Sequence, residues 1–217
     1  MSDFDARRVM MVDTQIRPSD VTKFPIIDAM LSVHRENFVP SDRREAAYMD
    51  GNITLGRGRV VLEPRTMAKM LDALDLQNDE LVLDIGSGYG YSVAVMAHIA
   101  QAVVAVEADE AMAGDAQSTL NDAGVDNVIL HNGALTDGVA EHGPYDVIAI
   151  QGGVEDIPAA IVEQLKEGGR MAALFMNGAL GEMRIGRKID GHMNWRLSFN
   201  ASAPVLPGFS AAREFAL

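Results

Sequence analysis

The sequence predicts an α/β fold: a doubly wound, mostly parallel sheet with a helical extension before it and antiparallel edge strands after it. From residue 80 onward, short and nearly all-apolar segments alternate with segments of helical pattern, as in parallel sheets covered on both faces. A glycine-rich loop follows the first of these apolar segments. Beyond residue 175, polar and apolar positions alternate, which favours strands at a half-exposed sheet edge.

The apolar runs predict five strands, at 81–85, 102–106, 128–130, 145–150 and 171–175, with helices at 92–99, 112–120 and 157–165. Gly168 and Gly169 are expected to end the third helix. Before the sheet, 28–33 is helical, and a helix after Pro64 carries Met67, Met70, Leu71 and Leu74 on one core-facing side. A final strand is predicted at 195–199. Phe209 and Phe215 are expected to pack on the edge of the sheet.

These elements suit a single domain over residues 1–217. An N-terminal helical and loop extension covers 1–79, the α/β core covers 80–175, and edge strands cover 176–217.

Composition narrows the function classes. The formal net charge of −13 disfavours a nucleic-acid partner, because an acidic surface repels phosphate. The lack of cysteine excludes disulfides and Cys-ligated zinc, and the five histidines show no metal-ligand spacing, so no metal site is expected. No secretory signal and no membrane-spanning apolar run is seen, which predicts a cytoplasmic protein without a membrane partner.

The loop after the first core strand carries the chemistry. Gly86, Gly88 and Gly90 give a G-x-G-x-G pattern, in which the backbone can turn sharply and approach a ligand closely. Asp84 stands just before the loop, and Glu107 ends the next strand about 20 residues on, where a carboxylate can accept both ribose hydroxyls. The pattern departs from G-x-G-x-x-G, which favours a nucleoside ligand without a pyrophosphate over NAD. The alternative is an ordinary tight turn with a solvated acid nearby.

Two core motifs resemble those of S-adenosylmethionine-dependent methyltransferases: V-L-D-I-G-S-G-Y-G at 82–90 and V-V-A-V-E at 103–107. Other segments narrow the resemblance to protein-L-isoaspartate O-methyltransferases, as far as about residue 175. They are R-E-N-F-V-P at 35–40, A-Y-M-D at 47–50, G-R-G-R-V-V-L-E-P at 56–64 and Q-L-K-E-G-G-R at 164–170. The corresponding family patterns are VPRxxFVP, AYxD, GxGQTISQP and QLKxGGR.

The resemblance implies a Rossmann-like methyltransferase fold with S-adenosyl-L-methionine as cofactor. It implies methyl transfer to the free α-carboxylate of an isoaspartyl residue, so that the partner is a protein or peptide bearing a free carboxylate. Catalysis would be mainly orientation, because the sulfonium is already activated and a carboxylate is a nucleophile at pH 7. The expected cofactor-binding residues are Asp84, Gly86, Ser87, Gly88, Gly90, Glu107, Gly133 and Ala134.

The sequence departs from the family patterns at two places. The threonine and serine of "TIS" become Val60 and Leu62, the candidate catalytic positions, and neither side chain can donate a hydrogen bond. Glu63 beside them would repel an anionic substrate if it pointed inward. The family's "GDG", whose aspartate contacts the adenine amine, becomes 133–135 (Gly-Ala-Leu), where Asn132 or Asp137 is a possible substitute.

Three functions therefore stay open. The chain is an isoaspartyl methyltransferase, a methyltransferase with another acceptor, or a cofactor-binding homologue without turnover. Arg57 and Arg59 are expected to be solvated, with attraction of an acidic substrate as the alternative. The sequence does not indicate the oligomeric state.

Overall fold

A computed structural model describes residues 3–211. It contains nine strands: β1 (Ile53–Gly56), β2 (Arg59–Val61), β3 (Leu81–Ile85), β4 (Ala102–Glu107), β5 (Val128–Asn132), β6 (Tyr145–Val154), β7 (Leu165–Asn177), β8 (Leu180–Ile189) and β9 (His192–Ala201). β1 and β2 form a separate hairpin, and the others form one sheet in the order β5-β4-β3-β6-β7-β8-β9. Strands β3 to β7 pair in parallel, while β8 and β9 pair antiparallel at one edge. The predicted α/β fold with antiparallel C-terminal strands is confirmed.

Six α-helices accompany these strands: α1 (Asp3–Met11), α2 (Phe24–Ser32), α3 (Pro64–Leu74), α4 (Tyr91–Ala97), α5 (Glu110–Asp122) and α6 (Ala159–Glu163). Pro64 starts α3, where its missing N–H would have no helical partner. The predicted apolar side of α3 is buried, with Met67, Met70, Leu71 and Leu74 each at most 1% exposed. Within 3–211, no helix has the length and apolar character needed to cross a membrane.

Apolar side chains cover both faces of the sheet. Along β3, Val82 packs into a cluster that also holds residues of helices α2 to α5. Leu83 and Ile85 point to the opposite face, into a cluster with Ile161 of α6. Successive residues of a strand face opposite sides, so an almost wholly apolar strand is what a sheet buried on both faces requires.

The connection between α6 and β7 differs from the prediction. Gly168 and Gly169 do not end a helix, because α6 stops at Glu163 and both glycines belong to β7. The chain enters the sheet early because Tyr145 N–H donates to the carbonyl of Gln164 (2.8 Å) and Tyr145 pairs with Leu165. Gly168 adopts a φ of +78°, which permits the bend that follows.

After β9 the chain returns to the carboxyl ends of the central strands. The Gly153 N–H donates to the carbonyl of Pro204 (2.8 Å), and the Leu206 N–H donates to the carbonyl of Gly153 (2.9 Å). Phe209 is fully buried beyond the end of β6, in an apolar cluster with side chains of the sheet, and its carbonyl accepts from the Glu155 N–H. Phe215 lies outside the described residues.

Arg35 connects the N-terminal extension to the hairpin from inside the protein. Its side chain is fully buried and donates to the carbonyls of Ala47 (2.7 Å) and Leu62 (2.8 Å). Its guanidinium lies 4.5 Å from the centre of the Tyr91 ring. A buried guanidinium is costly unless such partners replace water, so these contacts hold the segments around residues 47 and 62 against α4.

The buried contacts of Arg35 are expected to contribute strongly to the stability of the fold. We expect Arg35→Ala to lower the free energy of unfolding by at least about 3 kcal/mol, because two buried carbonyls lose a charged donor. Urea unfolding followed by circular dichroism measures this. Arg43→Ala, which removes an arginine paired with its exposed neighbour Asp42, should change stability by less than about 0.5 kcal/mol. Equal losses in the two variants would contradict an anchoring role.

Candidate functional site

The glycine loop lies at the point where the strand order reverses, after β3 and between β4 and β6. Gly86, Gly88 and Gly90 have φ values of +81°, +56° and +91°, a region that side chains other than glycine rarely adopt. Gly90 begins α4, and a Cβ atom there would lie 3.3 Å from Leu120 of α5. The loop therefore has the backbone that a close approach of a ligand requires.

Glu107 ends β4 beside this loop and is fully buried. Its carboxylate accepts from the backbone N–H of Gly88 (2.9 Å) and of Asp109 (3.0 Å). It also accepts from Arg59, whose Nε lies 3.0 and 3.1 Å from the two oxygens and whose Nη2 lies 3.0 Å from Oε1. The structure thus brings Glu107 and the predicted glycine loop together.

The prediction of a solvated Arg59 is wrong. Its side chain is 3% exposed, because the β1–β2 hairpin folds over the ends of β3 and β4 and directs Arg59 onto Glu107. Arg57, at the tip of the hairpin, is 76% exposed, as expected, and pairs with Asp109. Sequence reasoning missed the pairing of Arg59 because its partner is 48 residues away and no local pattern links the two.

Val60 and Leu62 lie against the same loop. Together with Gly86, Ser87, Tyr91 and Gln151 they line a cavity of about 10 Å³, just large enough for one water molecule. The hydroxyls of Ser87 and Tyr91 are buried and have no hydrogen-bond partner within 3–211. The hairpin side of the cavity is therefore apolar and is formed by Val60, Val61 and Leu62.

Glu63 does not line this cavity. Its carboxylate accepts from the Thr66 hydroxyl (2.6 Å) in the first turn of α3, and the side chain is 27% exposed. The expected repulsion of an anionic substrate required Glu63 to point inward. It does not arise here, because Glu63 does not line the cavity.

Asp84 is fully buried one residue before the end of β3. Its oxygens accept from the Ser92 hydroxyl (2.5 Å) and the Gln151 amide (2.7 Å). Burial raises the pKa of Asp84 to about 7, against the lowering effect of these two bonds, and the nearby charge of Glu107 raises it further. Asp84 thus connects β3, α4 and β6 beneath the loop, and direct contact with a cofactor stays a prediction.

The segment after β5 contacts Glu107 through its backbone. The Gly133 N–H and the Asn132 amide both donate to the carbonyl of Glu107, at 3.1 and 2.9 Å. Ala134 is exposed beside them, and Asp137 is exposed in the turn that follows. Gly133, Ala134 and Asn132 therefore lie next to the end of β4, and their predicted contact with a cofactor is not tested by this geometry.

Two further side chains cover the loop, and the sequence did not single them out. A Cβ atom on Gly88 would lie 2.7 Å from Leu55 of β1, and one on Gly86 would lie 3.2 Å from Leu206. A nucleoside site is expected to have a glycine loop and a carboxylate at the end of the next strand. Both groups are present here and fit such a ligand. In this conformation they are covered by the hairpin and by the segment after β9. Within the described chain, no group of three or more His, Asp or Glu side chains could hold a metal ion.

The second prediction uses the raised pKa of Asp84. The unfolded chain loses this proton near pH 4, whereas the folded chain keeps it until about pH 7. Because the folded state then binds more protons, the contribution is fully present below about pH 4 and is lost as the pH rises through about 7. Relative to Asp84→Asn, wild type should lose roughly 2–3 kcal/mol of unfolding free energy between pH 5 and pH 8.

Urea unfolding of both proteins at several pH values within this range measures the difference. The same substitution at the exposed Asp122 corrects for the change in net charge. Parallel stability curves for wild type and Asp84→Asn would show that Asp84 is ionised in the folded protein throughout.

Comparison with known proteins identifies the family. The family profile described as Protein-L-isoaspartate(D-aspartate) O-methyltransferase matches residues 7–195. The chain is 39% identical over 164 residues to a protein-L-isoaspartate O-methyltransferase of Opitutus terrae, covering 76% of this chain and 70% of the relative. It is also 39% identical over 171 residues to the protein of that name in Syntrophus aciditrophicus, covering 79% and 78%.

Solved structures agree. A protein-L-isoaspartate O-methyltransferase superimposes with a TM-score of 0.81 at 26% identity, over 93% of this chain and 66% of that longer one, just under two thirds. A Plasmodium falciparum protein described with the same activity, solved in complex with S-adenosyl-L-homocysteine, superimposes with a TM-score of 0.79 over 95% of this chain and 99% of that one. At 17% identity the second likeness shows the fold alone. With a profile match over most of its length, this chain belongs to the protein-L-isoaspartate O-methyltransferase family.

Proposed function

We propose that this chain binds S-adenosyl-L-methionine at its glycine loop and transfers the methyl group to the free carboxylate of an isoaspartyl residue in a protein. The observation that carries the proposal is the position of Glu107, buried at the end of β4 and 2.9 Å from the Gly88 amide. A carboxylate there accepts hydroxyl donors, and the loop beside it has no side chain to obstruct a nucleoside. Membership of the family supports the same activity.

When bound, the cofactor supplies a methyl group on an activated sulfonium. The chain's own residues would then mainly orient the two reactants, because a carboxylate is already a nucleophile at pH 7. Glu107 would hold the ribose, and Gly86, Gly88 and Gly90 would allow the backbone to lie close to the cofactor. Neither a metal nor a strong base is required of the protein.

The acceptor carboxylate must leave water to react, and that is costly unless donors replace the water. Val60 and Leu62, at the positions where the family pattern has hydroxyls, line the cavity and offer none. We therefore infer that isoaspartyl transfer by the native chain is slow. The apolar wall also favours a second candidate function, cofactor binding with a different acceptor or without turnover.

A methyl-transfer assay tests the proposal. The protein is incubated with tritiated S-adenosylmethionine and either an isoaspartyl peptide or the aspartyl peptide of the same sequence. Label should enter the isoaspartyl peptide alone. Cofactor binding without label in either peptide, or label that depends on neither peptide, would support the second candidate. Absence of both cofactor binding and label would contradict both.

The third prediction restores the missing donors. Relative to wild type, Leu62→Ser combined with Val60→Thr should raise the isoaspartyl rate about 10- to 100-fold. This is the effect of a bond of about 1.5–3 kcal/mol to a charged oxygen that improves in the transition state. The measurement is the initial rate at saturating cofactor, with thermal unfolding as a check on folding.

Leu62→Ala with Val60 unchanged is the matched control, because alanine and valine have nearly the sizes of serine and threonine but carry no hydroxyl. The control should not accelerate transfer. If the alanine variant is as fast as the hydroxyl variant, room and not hydrogen bonding limits the native chain, and the donor argument fails.

A further inference from the structure

We propose that Arg59 is a self-ligand of Glu107, a side chain of the protein that occupies the place of the cofactor ribose. Cofactor then binds only after Arg59 leaves the carboxylate, so the residue at position 59 sets the cofactor affinity. The inference rests on the proposed function, in which Glu107 accepts the ribose hydroxyls.

The donors already present use the hydrogen-bonding capacity of the Glu107 carboxylate. An ionised carboxylate accepts in about four directions. In this structure the donors are Arg59 Nε, Arg59 Nη2, Gly88 N–H and Asp109 N–H, all between 2.9 and 3.1 Å. No acceptor direction is left for a ribose hydroxyl. The two backbone amides belong to the walls of the site, so Arg59 is the donor that must give way.

The contact between Arg59 and Glu107, which a ribose would have to replace, is strong. Both side chains are buried, at 3% and 0% exposure. The bidentate contact with Arg59 is charge-assisted, whereas ribose hydroxyls are neutral donors, so exchanging one for the other weakens the bonds to Glu107. Opening the pair therefore reduces the free energy available for cofactor binding.

The pair nevertheless has a feature that favours opening. Arg59 Nη1 is buried without a hydrogen-bond partner among the described residues. A buried donor left unpaired is costly, and hydration of the guanidinium on leaving removes that cost. Arg59 starts β2, only two residues from the exposed Arg57 at the hairpin tip, so the path of its guanidinium to solvent is short.

The same hairpin covers the loop as well as the carboxylate. Leu55, on β1, places a methyl group 2.7 Å from the position that a Cβ atom of Gly88 would take. Movement of one element therefore exposes both the glycine loop and Glu107. The family pattern GxGQTISQP has glutamine at position 59, a neutral side chain that competes less strongly for a carboxylate.

Calorimetric titration with S-adenosyl-L-homocysteine tests the inference without relying on activity. Arg59→Gln should bind at least tenfold more tightly than wild type, a difference that corresponds to about 1.4 kcal/mol. Arg57→Gln is the matched control, because this exposed arginine does not touch Glu107, and its Kd should stay within twofold of wild type. A smaller gain in Arg59→Gln overturns the inference.

Because Arg59→Gln leaves a buried carboxylate without its cation, circular dichroism must first show that it folds. If it does not fold, Arg59→Lys decides, since lysine keeps the charge but cannot span both oxygens. A gain of at least threefold in Arg59→Lys supports the inference, and a smaller one overturns it.

Wild type provides an independent measurement. The Arg59 Nε–H signal in a proton–nitrogen spectrum, identified by its loss in Arg59→Lys, should shift and exchange faster with water at saturating ligand. An unmoved signal overturns the inference.

The outcomes also separate this inference from the proposed function. Wild type binding as tightly as Arg59→Gln would overturn the self-ligand and leave the methyltransferase proposal standing. Absence of binding in wild type and in every folded Arg59 variant, even at millimolar ligand, would overturn both.

Discussion

A fully buried carboxylate needs hydrogen-bond donors in place of water, and Glu107 imposes this requirement on the carboxyl edge of the sheet. Its partners come from three elements: the glycine loop through Gly88, the start of α5 through Asp109, and the hairpin through Arg59. Asp109 in turn accepts from the Met112 N–H and caps α5. One anion therefore determines how loop, helix and hairpin meet, and a change in any partner is felt by the other two.

Two buried acids at this edge are accommodated in different ways. Glu107 has a cation beside it, whereas Asp84 has only the neutral donors Ser92 and Gln151. Burial, with a further contribution from the charge of Glu107, therefore raises the pKa of Asp84 to about 7. The sheet carries one acid that is paired with a cation and a second that can hold its proton near neutrality. Loss of the cation would thus reach beyond Glu107 to the electrostatics beneath the loop.

Local signals explain which parts could be predicted from the sequence. The strands β3 and β4, the loop of Gly86 to Gly90 and the position of Glu107 follow from short apolar runs and glycine spacing. The pairing of Arg59 with Glu107 could not be predicted from the sequence, because it depends on how a hairpin folds back onto a residue 48 positions away. The return of Leu206 to the loop after β9 is likewise non-local. The early start of β7 was missed since a Gly-Gly pair signals a helix end and a strand bend equally well.

The departures from the family pattern at Arg59, Val60 and Leu62 lie in or beside one hairpin, and this location carries a physical meaning. Position 59 has a cation on the cofactor side, while Val60 and Leu62 are apolar on the side of the small cavity. Relative to the family pattern, the hairpin thus presents different side-chain polarity both to the expected cofactor and to the expected acceptor. The sheet and the glycine loop beneath it keep the family's form. The tip of the hairpin at Gly56 and Gly58 meets open space, whereas Leu55, Val60 and Val61 are buried in the core. The sheet accordingly supplies the binding groups, and the hairpin decides whether they are free to bind.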